Sequence, residues 1–315
     1  MADSRNQGIA NHGKCAACGH AGGRLFLSAP DRFEGRTVKY NLLCCPECSL
    51  VWQENPPEPK DMGQHYTADY DRKIAAGGES PGHFDGRRDA LAHYKDGGAV
   101  LDLGCSSGAF LETLNGGRWE LYGIEMSPEV ARMAEKRTGA KVFVGDILDA
   151  PFAQGSFDAI TCFHVFEHMY EPKQILEKVS YWLKPGGIFY MMVPNIHSAG
   201  EKTFRSYWYA LELPRHLFHW SPKALRQVTR AVDLEEVSIT TYREVFFEQS
   251  MKYVLDDFFK RFGIVRTPLA KKEEPGIPFK VVRKAFRLTI LPILTQIIAL
   301  RGDGESIHGV FRKRG

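Results

Sequence analysis

The sequence lacks an apolar run of the ~18–20 residues that a membrane-spanning helix needs, and no secretory signal opens it. It also has little net charge, since 41 Lys and Arg against 38 Asp and Glu leave a formal charge of +3. A nucleic-acid-binding surface needs basic residues clustered on one face, whereas signs alternate along most of this chain. We therefore expect a cytoplasmic protein without a nucleic-acid partner, whose seven cysteines serve metal or thiolate chemistry rather than disulfides.

Four of these cysteines form two CxxC motifs, Cys15-Ala-Ala-Cys18 and Cys45-Pro-Glu-Cys48. Each motif brings two thiolates to one side of a tight turn, so the pair can complete a tetrahedral zinc site. The intervening residues alternate like two short strands, at 24–27 and 37–43. Cys44 adjoins Cys45, but the CxxC spacing selects Cys45. We predict a structural zinc ribbon over residues 15–55; four unrelated core cysteines or a redox-active CxxC fit the pattern less well.

The main domain is predicted to begin near residue 95, after a polar tail (1–14) and a linker with a leading helix (56–94). From there strands alternate with helices, which predicts a doubly wound parallel α/β sheet with its ligand at the carboxyl ends of the strands. The first strand, 99–104, enters a glycine turn that leads into a helix at 109–114. The next two strands end in the acids Glu125 and Asp146, and such an acid can accept hydrogen bonds from ribose hydroxyls.

Asp102-Leu-Gly-Cys-Ser-Ser-Gly108 resembles the first motif of class I S-adenosylmethionine (SAM) methyltransferases, Glu125 their second and Asp146-Ile147 their third. The resemblance covers residues 95–245 and implies a Rossmann-like seven-stranded sheet with SAM as cofactor. It also implies the cofactor-binding residues: Asp102, Gly104, Cys105, Ser106, Gly108, Glu125, Met126, Asp146, Ile147 and His164. Ser106 stands where many members carry a second glycine, which puts the loop geometry in question. A dinucleotide-binding dehydrogenase would carry GxGxxG, whereas this turn is GxxxG.

The predicted catalytic residues are His164, Glu167 and His168, which follow the fourth strand. Methyl transfer needs positioning above all, and a base only where the acceptor must lose a proton. On a helix this spacing places the three side chains on one face, and His164 is the predicted base. Glu167 and His168 could instead fix the loop by hydrogen bonds. The spacing also allows a divalent cation, although methyltransferases with a similar cation-binding spacing carry an acid where His164 stands.

Residues 194–220 are rich in aromatic and histidine side chains, which are typical of a wall around an acceptor pocket. The alternative is ordinary packing of a lid. The predicted substrate-binding residues are Tyr207, Trp208, Arg215, His216 and His219.

Two predicted strands, 236–244 and 306–313, complete the sheet as an antiparallel hairpin, and a helical insertion (246–305) separates them. The insertion contains a predicted helix at 247–262 and an apolar stretch with a basic start at 279–300. Such a segment suits a helical cap on the domain, a self-association surface within 246–303, or an interfacial helix that contacts a membrane peripherally.

The pattern as a whole predicts a SAM-dependent methyltransferase with a small-molecule acceptor. The CxxC pair with this core resembles enzymes that tailor deoxysugars, surface polysaccharides or natural products. One alternative is an rRNA or tRNA methyltransferase whose ribbon binds RNA through basic residues, of which the ribbon has Arg24, Arg32, Arg36 and Lys39. Asp31 and Glu34 offset these charges. The other alternative is a SAM-binding regulator without catalysis.

Overall fold

The computed structural model describes residues 13–66, 84–261, 289 and 303–315. Its strands are β1 (Arg24–Pro30), β2 (Lys39–Cys44), β3 (Val51–Gln53), β4 (Gly97–Leu103), β5 (Arg118–Glu125), β6 (Lys141–Val144), β7 (Phe157–Phe163), β8 (Leu183–Pro194), β9 (Phe218–His219), β10 (Leu234–Tyr242) and β11 (Ser306–Lys313). Its α-helices are α1 (Pro59–Met62), α2 (Asp85–Tyr94), α3 (Ala109–Glu112), α4 (Pro128–Thr138), α5 (Pro172–Trp182), α6 (Ala199–Phe204), α7 (Pro222–Thr229) and α8 (Phe246–Arg261). Among these helices, none has the length and apolar composition needed to cross a membrane.

Seven strands form one sheet in the order β10-β11-β8-β7-β4-β5-β6. The strands from β4 to β8 run parallel, and β11 lies antiparallel between β8 and β10. Apolar clusters cover both faces of the sheet, and for this reason β4 and β8 read as nearly continuous apolar runs. The architecture confirms the predicted doubly wound sheet with its antiparallel hairpin.

A second, four-stranded antiparallel sheet has the order β1-β2-β3-β9. Its first three strands lie between or beside the CxxC motifs, but β9 comes from the segment that follows β8. Val51 pairs with His219, and Trp52 pairs with Phe218. Leu50 and Trp52 also pack in the same apolar cluster as residues of the large sheet. The cysteine-rich ribbon is therefore joined to the main domain by a strand pair that the sequence pattern did not indicate.

Several element bounds differ from the predictions. The helix predicted at 109–114 ends at Glu112, and the strand predicted at 236–244 is Leu234–Tyr242. The strand at 306–313 matches, and the first helix of the insertion spans Phe246–Arg261. Apart from residue 289, the apolar stretch at 279–300 lies outside the described residues, as does the polar tail up to residue 12.

Candidate functional site

The turn after β4 requires glycine at two positions. Gly104 has φ +67°, and a Cβ atom there would lie 2.6 Å from the side chain of Val165. Gly108 has φ +80°, and its Cβ would lie 3.0 Å from Cα of Ala134. Ser106 also adopts a left-handed conformation, with φ +49°, which is uncommon for a residue with a side chain. The serine thus takes up the tight turn despite its departure from the glycine pattern.

The acid at the end of β5 ties this turn to the next strand. Glu125 accepts hydrogen bonds from the backbone N–H of Ser106 (3.1 Å) and of Ser127 (2.9 Å). Its side chain remains partly exposed, and the neighbouring Met126 is 66% exposed. Ser106, Glu125 and Met126 therefore lie together at the open carboxyl edge of β4 and β5, where a ligand can reach them.

The third predicted cofactor acid lies at the same edge. Asp146 is exposed and accepts a hydrogen bond from the N–H of Leu148 (2.8 Å), which caps the 3₁₀ turn Ile147–Asp149. Ile147 itself is buried. The glycine turn, Glu125 and Asp146 thus lie at the carboxyl ends of three adjacent parallel strands, which is the arrangement expected for a nucleoside-binding edge.

Asp102 is a buried residue near the end of β4, two positions before Gly104 of the turn. It accepts a hydrogen bond from the hydroxyl of Thr161 (2.7 Å). Burial raises the pKa of Asp102 to about 7, against the opposing effects of the Thr161 hydrogen bond and the charge of Arg87. The guanidinium of Arg87 stacks on the rings of Phe84 (4.8 Å) and Phe163 (5.2 Å). Arg87 was not among the predicted site residues, because one arginine on an amphipathic helix carries no distinctive signal.

Cys105 faces the protein interior. It is buried, and a Cβ atom at Gly123 would lie only 2.5 Å from its Sγ. Burial raises the pKa of the Cys105 thiol well above its ordinary value. This side chain shapes the turn by packing against β5.

His164 lies at the end of β7, next to the glycine turn. Its φ is +56°, and its N–H donates to the carbonyl of Met192 (2.9 Å). The imidazole is 27% exposed, and Nδ1 lies 3.4 Å from Oε1 of Glu167. Residues Phe166–His168 form a 3₁₀ turn rather than an α-helix, so the predicted shared helical face is wrong. The tight turn nevertheless brings His164 and Glu167 together.

Glu167 has no exposed surface, so a catalytic role for it would act through a neighbouring side chain rather than by contact with an acceptor. Burial acts to raise its pKa, but the imidazoles of His164, His216 and His168 lower it to about 2. Burial also lowers the pKa of His168 and of His216 to about 4. Glu167 is therefore a carboxylate that lies behind His164 and among three imidazoles.

Most of the predicted acceptor residues are buried. Trp208, Arg215 and His219 have at most 1% of their surface exposed, so no acceptor can reach them in this structure. Arg215 instead forms an ion pair with the buried Asp31 (3.2 Å) and donates to the carbonyl of His65 (3.1 Å). These residues hold the ribbon against the segment that follows β8, which corrects the predicted substrate contacts.

The other two predicted acceptor residues have different environments. Tyr207 is partly exposed, its hydroxyl donates to Asp257 (2.8 Å), and the guanidinium of Arg32 lies 3.6 Å from its ring centroid. His216 is buried beside Glu167, with Nε2 4.0 Å from Oε1. Tyr207 therefore belongs to the contact between the ribbon and α8, and His216 to the cluster around Glu167.

The two CxxC motifs meet as predicted, with the sulfur atoms of the quartet within 4.8 Å of one another: Cys15, Cys18, Cys45 and Cys48. Two of the sulfur pairs are separated by 3.4 and 3.5 Å. Tetrahedral zinc with bonds of ~2.3 Å requires sulfur separations of about 3.8 Å, so the quartet needs little movement to bind it. Cys44 lies outside this group. The four cysteines are thus placed to bind structural zinc.

The two motifs share one backbone geometry. Gly19 N–H donates to the carbonyl of Cys15 (2.8 Å), and Ser49 N–H donates to the carbonyl of Cys45 (3.0 Å). Gly19 and Ser49 both have positive φ, at 76° and 63°. Each motif therefore closes by the same turn one residue beyond its second cysteine, although only the first motif carries glycine there.

Comparison with known proteins agrees with this geometry. A family model described as a methyltransferase domain matches residues 72–239, which is more than half of the chain. An uncharacterised protein of Methanocaldococcus jannaschii is 30% identical over 188 residues, covering 56% of this chain and 69% of that protein. A ubiquinone biosynthesis O-methyltransferase of Idiomarina loihiensis is 28% identical over 147 residues, covering 45% of this chain and 58% of its own length.

Solved structures show the same fold at low identity. Phosphoethanolamine N-methyltransferase 2 of Haemonchus contortus, in complex with SAM, has a TM-score of 0.54 at 14% identity and covers 84% of this chain and 62% of that one. A SAM-dependent methyltransferase of Thermotoga maritima has a TM-score of 0.51 at 16% identity, and the match covers 80% of this chain and 99% of that one. With its glycine turn and two acids at one sheet edge and a methyltransferase domain matched over more than half of its length, the chain belongs to the methyltransferase domain family and is a SAM-dependent methyltransferase.

Proposed function

We propose that the enzyme methylates a small-molecule acceptor and that His164 is its general base. The observation that carries this proposal is the position of the His164 imidazole. The imidazole is partly exposed, and its Nδ1 faces the buried carboxylate of Glu167. The next residue, Val165, lies against Gly104 of the cofactor turn. A base in this position can reach an acceptor oriented toward the cofactor.

The chemistry requires few protein groups. SAM supplies the methyl group as an electrophile, so the protein must orient the acceptor and, for a hydroxyl, remove its proton. Nδ1 of His164 faces Glu167, which leaves Nε2 for the acceptor proton. The carboxylate holds the ring in orientation and stabilises the imidazolium that forms, as the acid does in a Ser-His-Asp triad.

The surroundings of His164 favour an enclosed, aromatic acceptor site. The ring of Phe246 lies 6.0 Å from that of His164. Tyr209 lies 5.9 Å from Phe246 and stacks on Tyr253 at 5.9 Å. Helix α8 and the turn around residue 209 thus supply an aromatic wall, and small-molecule sites are mostly apolar with few polar groups. The matched O-methyltransferases of ubiquinone biosynthesis support an oxygen acceptor.

An RNA acceptor fits the ribbon less well. Arg32 forms an ion pair with Asp257 (3.0 Å), and Arg36 contacts His65 (3.0 Å) and donates to the carbonyl of Gln64 (3.1 Å). Two of the four basic side chains that would bind RNA therefore make contacts within the protein. Within the small-molecule class, our narrower hypothesis is a sugar or a natural-product intermediate, because the CxxC pair followed by this catalytic core resembles tailoring enzymes.

Labelling tests the acceptor class. The purified enzyme is incubated with methyl-labelled SAM and cell extract, which is then separated into small molecules, RNA and protein. We expect label in the small-molecule fraction, and label confined to RNA or protein would overturn the proposal.

The base is tested with His164→Ala. General acid–base catalysis contributes roughly 10²–10⁴-fold, so kcat should fall by that factor, which is more than the Kd of SAM changes through loss of the predicted cofactor contact of His164. His93→Ala, which alters an exposed histidine of α2, is the control and should change neither. An unchanged kcat in the His164 variant would remove the base from the mechanism.

A further inference from the structure

A buried glutamine of the ribbon is bonded to the segment that precedes β9. Gln53 is the last residue of β3 and has no exposed surface. Its side-chain amide donates to the carbonyl of Pro214 (2.7 Å) and to that of His216 (2.9 Å). Its backbone N–H donates to the carbonyl of Leu217 (3.1 Å). One ribbon residue therefore makes three hydrogen bonds with residues 214–217.

These bonds use both donors of the glutamine side chain. An amide NH₂ group has two hydrogens, and Pro214 and His216 each offer a carbonyl oxygen to it. Because Gln53 has no exposed surface, solvent cannot supply a donor in its place. A buried carbonyl that loses its donor is costly, so the position of residues 214–217 depends on this side chain.

The same segment is bonded to the turn that contains Glu167. The N–H of Leu217 donates to the carbonyl of Glu167 (2.9 Å), and Nδ1 of His168 lies 3.0 Å from the carbonyl oxygen of Arg215. The carboxylate of Glu167 in turn has its Oε1 3.4 Å from Nδ1 of His164. A continuous series of contacts therefore runs from the ribbon, through Leu217, to the carboxylate that faces His164.

We propose that Gln53 is a positioning residue for methyl transfer, which holds the turn at 166–168 so that Glu167 orients His164. The inference rests on the proposed role of His164 as general base. Displacement of a catalytic group by about 1 Å can lower a rate about 100-fold, so a buried side chain of the ribbon can determine turnover. Gln53 precedes the matched methyltransferase domain, which begins at residue 72. The ribbon thereby takes part in catalysis, in addition to its strand pair with the main domain.

The tautomer of His164 tests the proposal without an acceptor. An ionised carboxylate can only accept a hydrogen bond, so Nδ1 of the neutral ring should carry the hydrogen in the wild-type chain. NMR of protein with ¹⁵N-labelled histidine reports the tautomer of each ring, and the spectrum of His164→Ala assigns the signal. Gln53→Met keeps the length of the side chain but has no donor. We expect the His164 ring of this variant to exchange between both tautomers.

Turnover provides the second measurement. Methyl-labelled SAM is incubated with the small-molecule fraction of a cell extract, and the rate of labelling by Gln53→Met should fall about 10–100-fold. The Kd of SAM and the zinc content of the chain should stay unchanged, which shows that both parts of the variant are folded. Gln53→Asn keeps the amide but is one methylene shorter and cannot reach both carbonyls, so we expect a smaller change in the same direction.

Asn41→Ala is the matched control, because Asn41 is a ribbon amide that donates to Glu54 (3.0 Å) at the surface. It should leave the His164 tautomer and the turnover unchanged. An unchanged His164 signal in both Gln53 variants, or an equal change in Asn41→Ala, would overturn the proposal. The proposed function fails by a different result, in which His164→Ala retains its turnover while the tautomer still depends on Gln53.

Discussion

The cofactor side and the acceptor side of this enzyme are built in different ways. The cofactor side consists of consecutive strand–turn units, from Asp102 near the end of β4 to Ile147 after β6. The acceptor side combines the turn at 164–168, the segment at 207–219, the ribbon and helix α8, which are far apart in the chain. Local chain geometry positions the first side, whereas tertiary contacts position the second. The two sides should therefore respond differently to the same perturbation.

The ribbon contacts the acceptor side through a strand pair and side-chain hydrogen bonds. Strand β3 pairs with β9, and the side-chain amide of Gln53 donates to the carbonyls of Pro214 (2.7 Å) and His216 (2.9 Å). The hydrogen bonds that Glu125 and Asp146 accept come instead from Ser106, Ser127 and Leu148, none of which belongs to the ribbon. Loss of the ribbon should consequently damage methyl transfer more than SAM binding.

The largest expected effect comes from loss of the structural zinc site. Structural zinc contributes an apparent ~10–16 kcal/mol in small zinc modules, so Cys45→Ser should unfold the ribbon and release β9. We expect turnover to be lost while the Kd of SAM, measured by calorimetry, changes by less than about threefold. Cys44→Ser is the control, because Cys44 lies outside the quartet, and it should behave as wild type. Parallel loss of SAM binding and turnover would show that the two sides are one cooperative unit.

The same division explains what the sequence could predict. The glycine turn, Glu125, Asp146 and the CxxC pairs depend on spacing within short segments, and the structure places them as those spacings indicate. The sequence does not distinguish the 3₁₀ turn at 166–168 from an α-helix, since three residues are too few to show a period. The partner of Arg215 lies 184 residues away, and such a contact leaves no local pattern.

The next effect concerns the buried ion pair between Asp31 of the ribbon and Arg215 of the segment that precedes β9. Arg215→Ala leaves Asp31 as a buried carboxylate without its strongest partner, which typically costs about 3–5 kcal/mol. Arg226→Ala removes a bidentate but surface-exposed pair with Glu236, and we expect a loss of less than about 1 kcal/mol. Urea denaturation of both variants gives the two free energies of unfolding. Equal losses would mean that burial does not distinguish the two pairs.

A smaller effect is expected on the cofactor side, where β5 offers a matched pair of acids. Glu125 lies at its carboxyl end beside the glycine turn, and Glu120 lies toward the other end in a surface pair with Lys141 (2.7 Å). If Glu125 binds the ribose as we predict, Glu125→Ala should weaken SAM binding by roughly 10–100-fold, or about 1.4–2.7 kcal/mol, because it removes that acceptor and the hydrogen bond from Ser106 that ties down the turn. Glu120→Ala should leave the Kd unchanged. Calorimetric titration with SAM measures both, and equal Kd values would place the ribose elsewhere.

The smallest effect is a pH dependence of SAM binding that arises from Asp102. Burial raises the pKa of Asp102 from 3.8 to about 7, with Arg87 and Glu125 as the charged groups that face it. Below that pH the folded chain holds a proton that the unfolded chain releases, so the SAM-free protein loses stability as pH rises from about 4 to about 7.

The affinity for SAM should change with pH in the opposite direction, increasing as pH rises. The bound cofactor is cationic and favours the ionised carboxylate, so its affinity should increase about tenfold between about pH 6 and about pH 8. Asp102→Asn removes the titrating group and should flatten this profile, whereas His93→Ala should leave it intact. If the slope survives in Asp102→Asn, the proton belongs to another group, and the cofactor side is then coupled electrostatically to the histidines of the acceptor side.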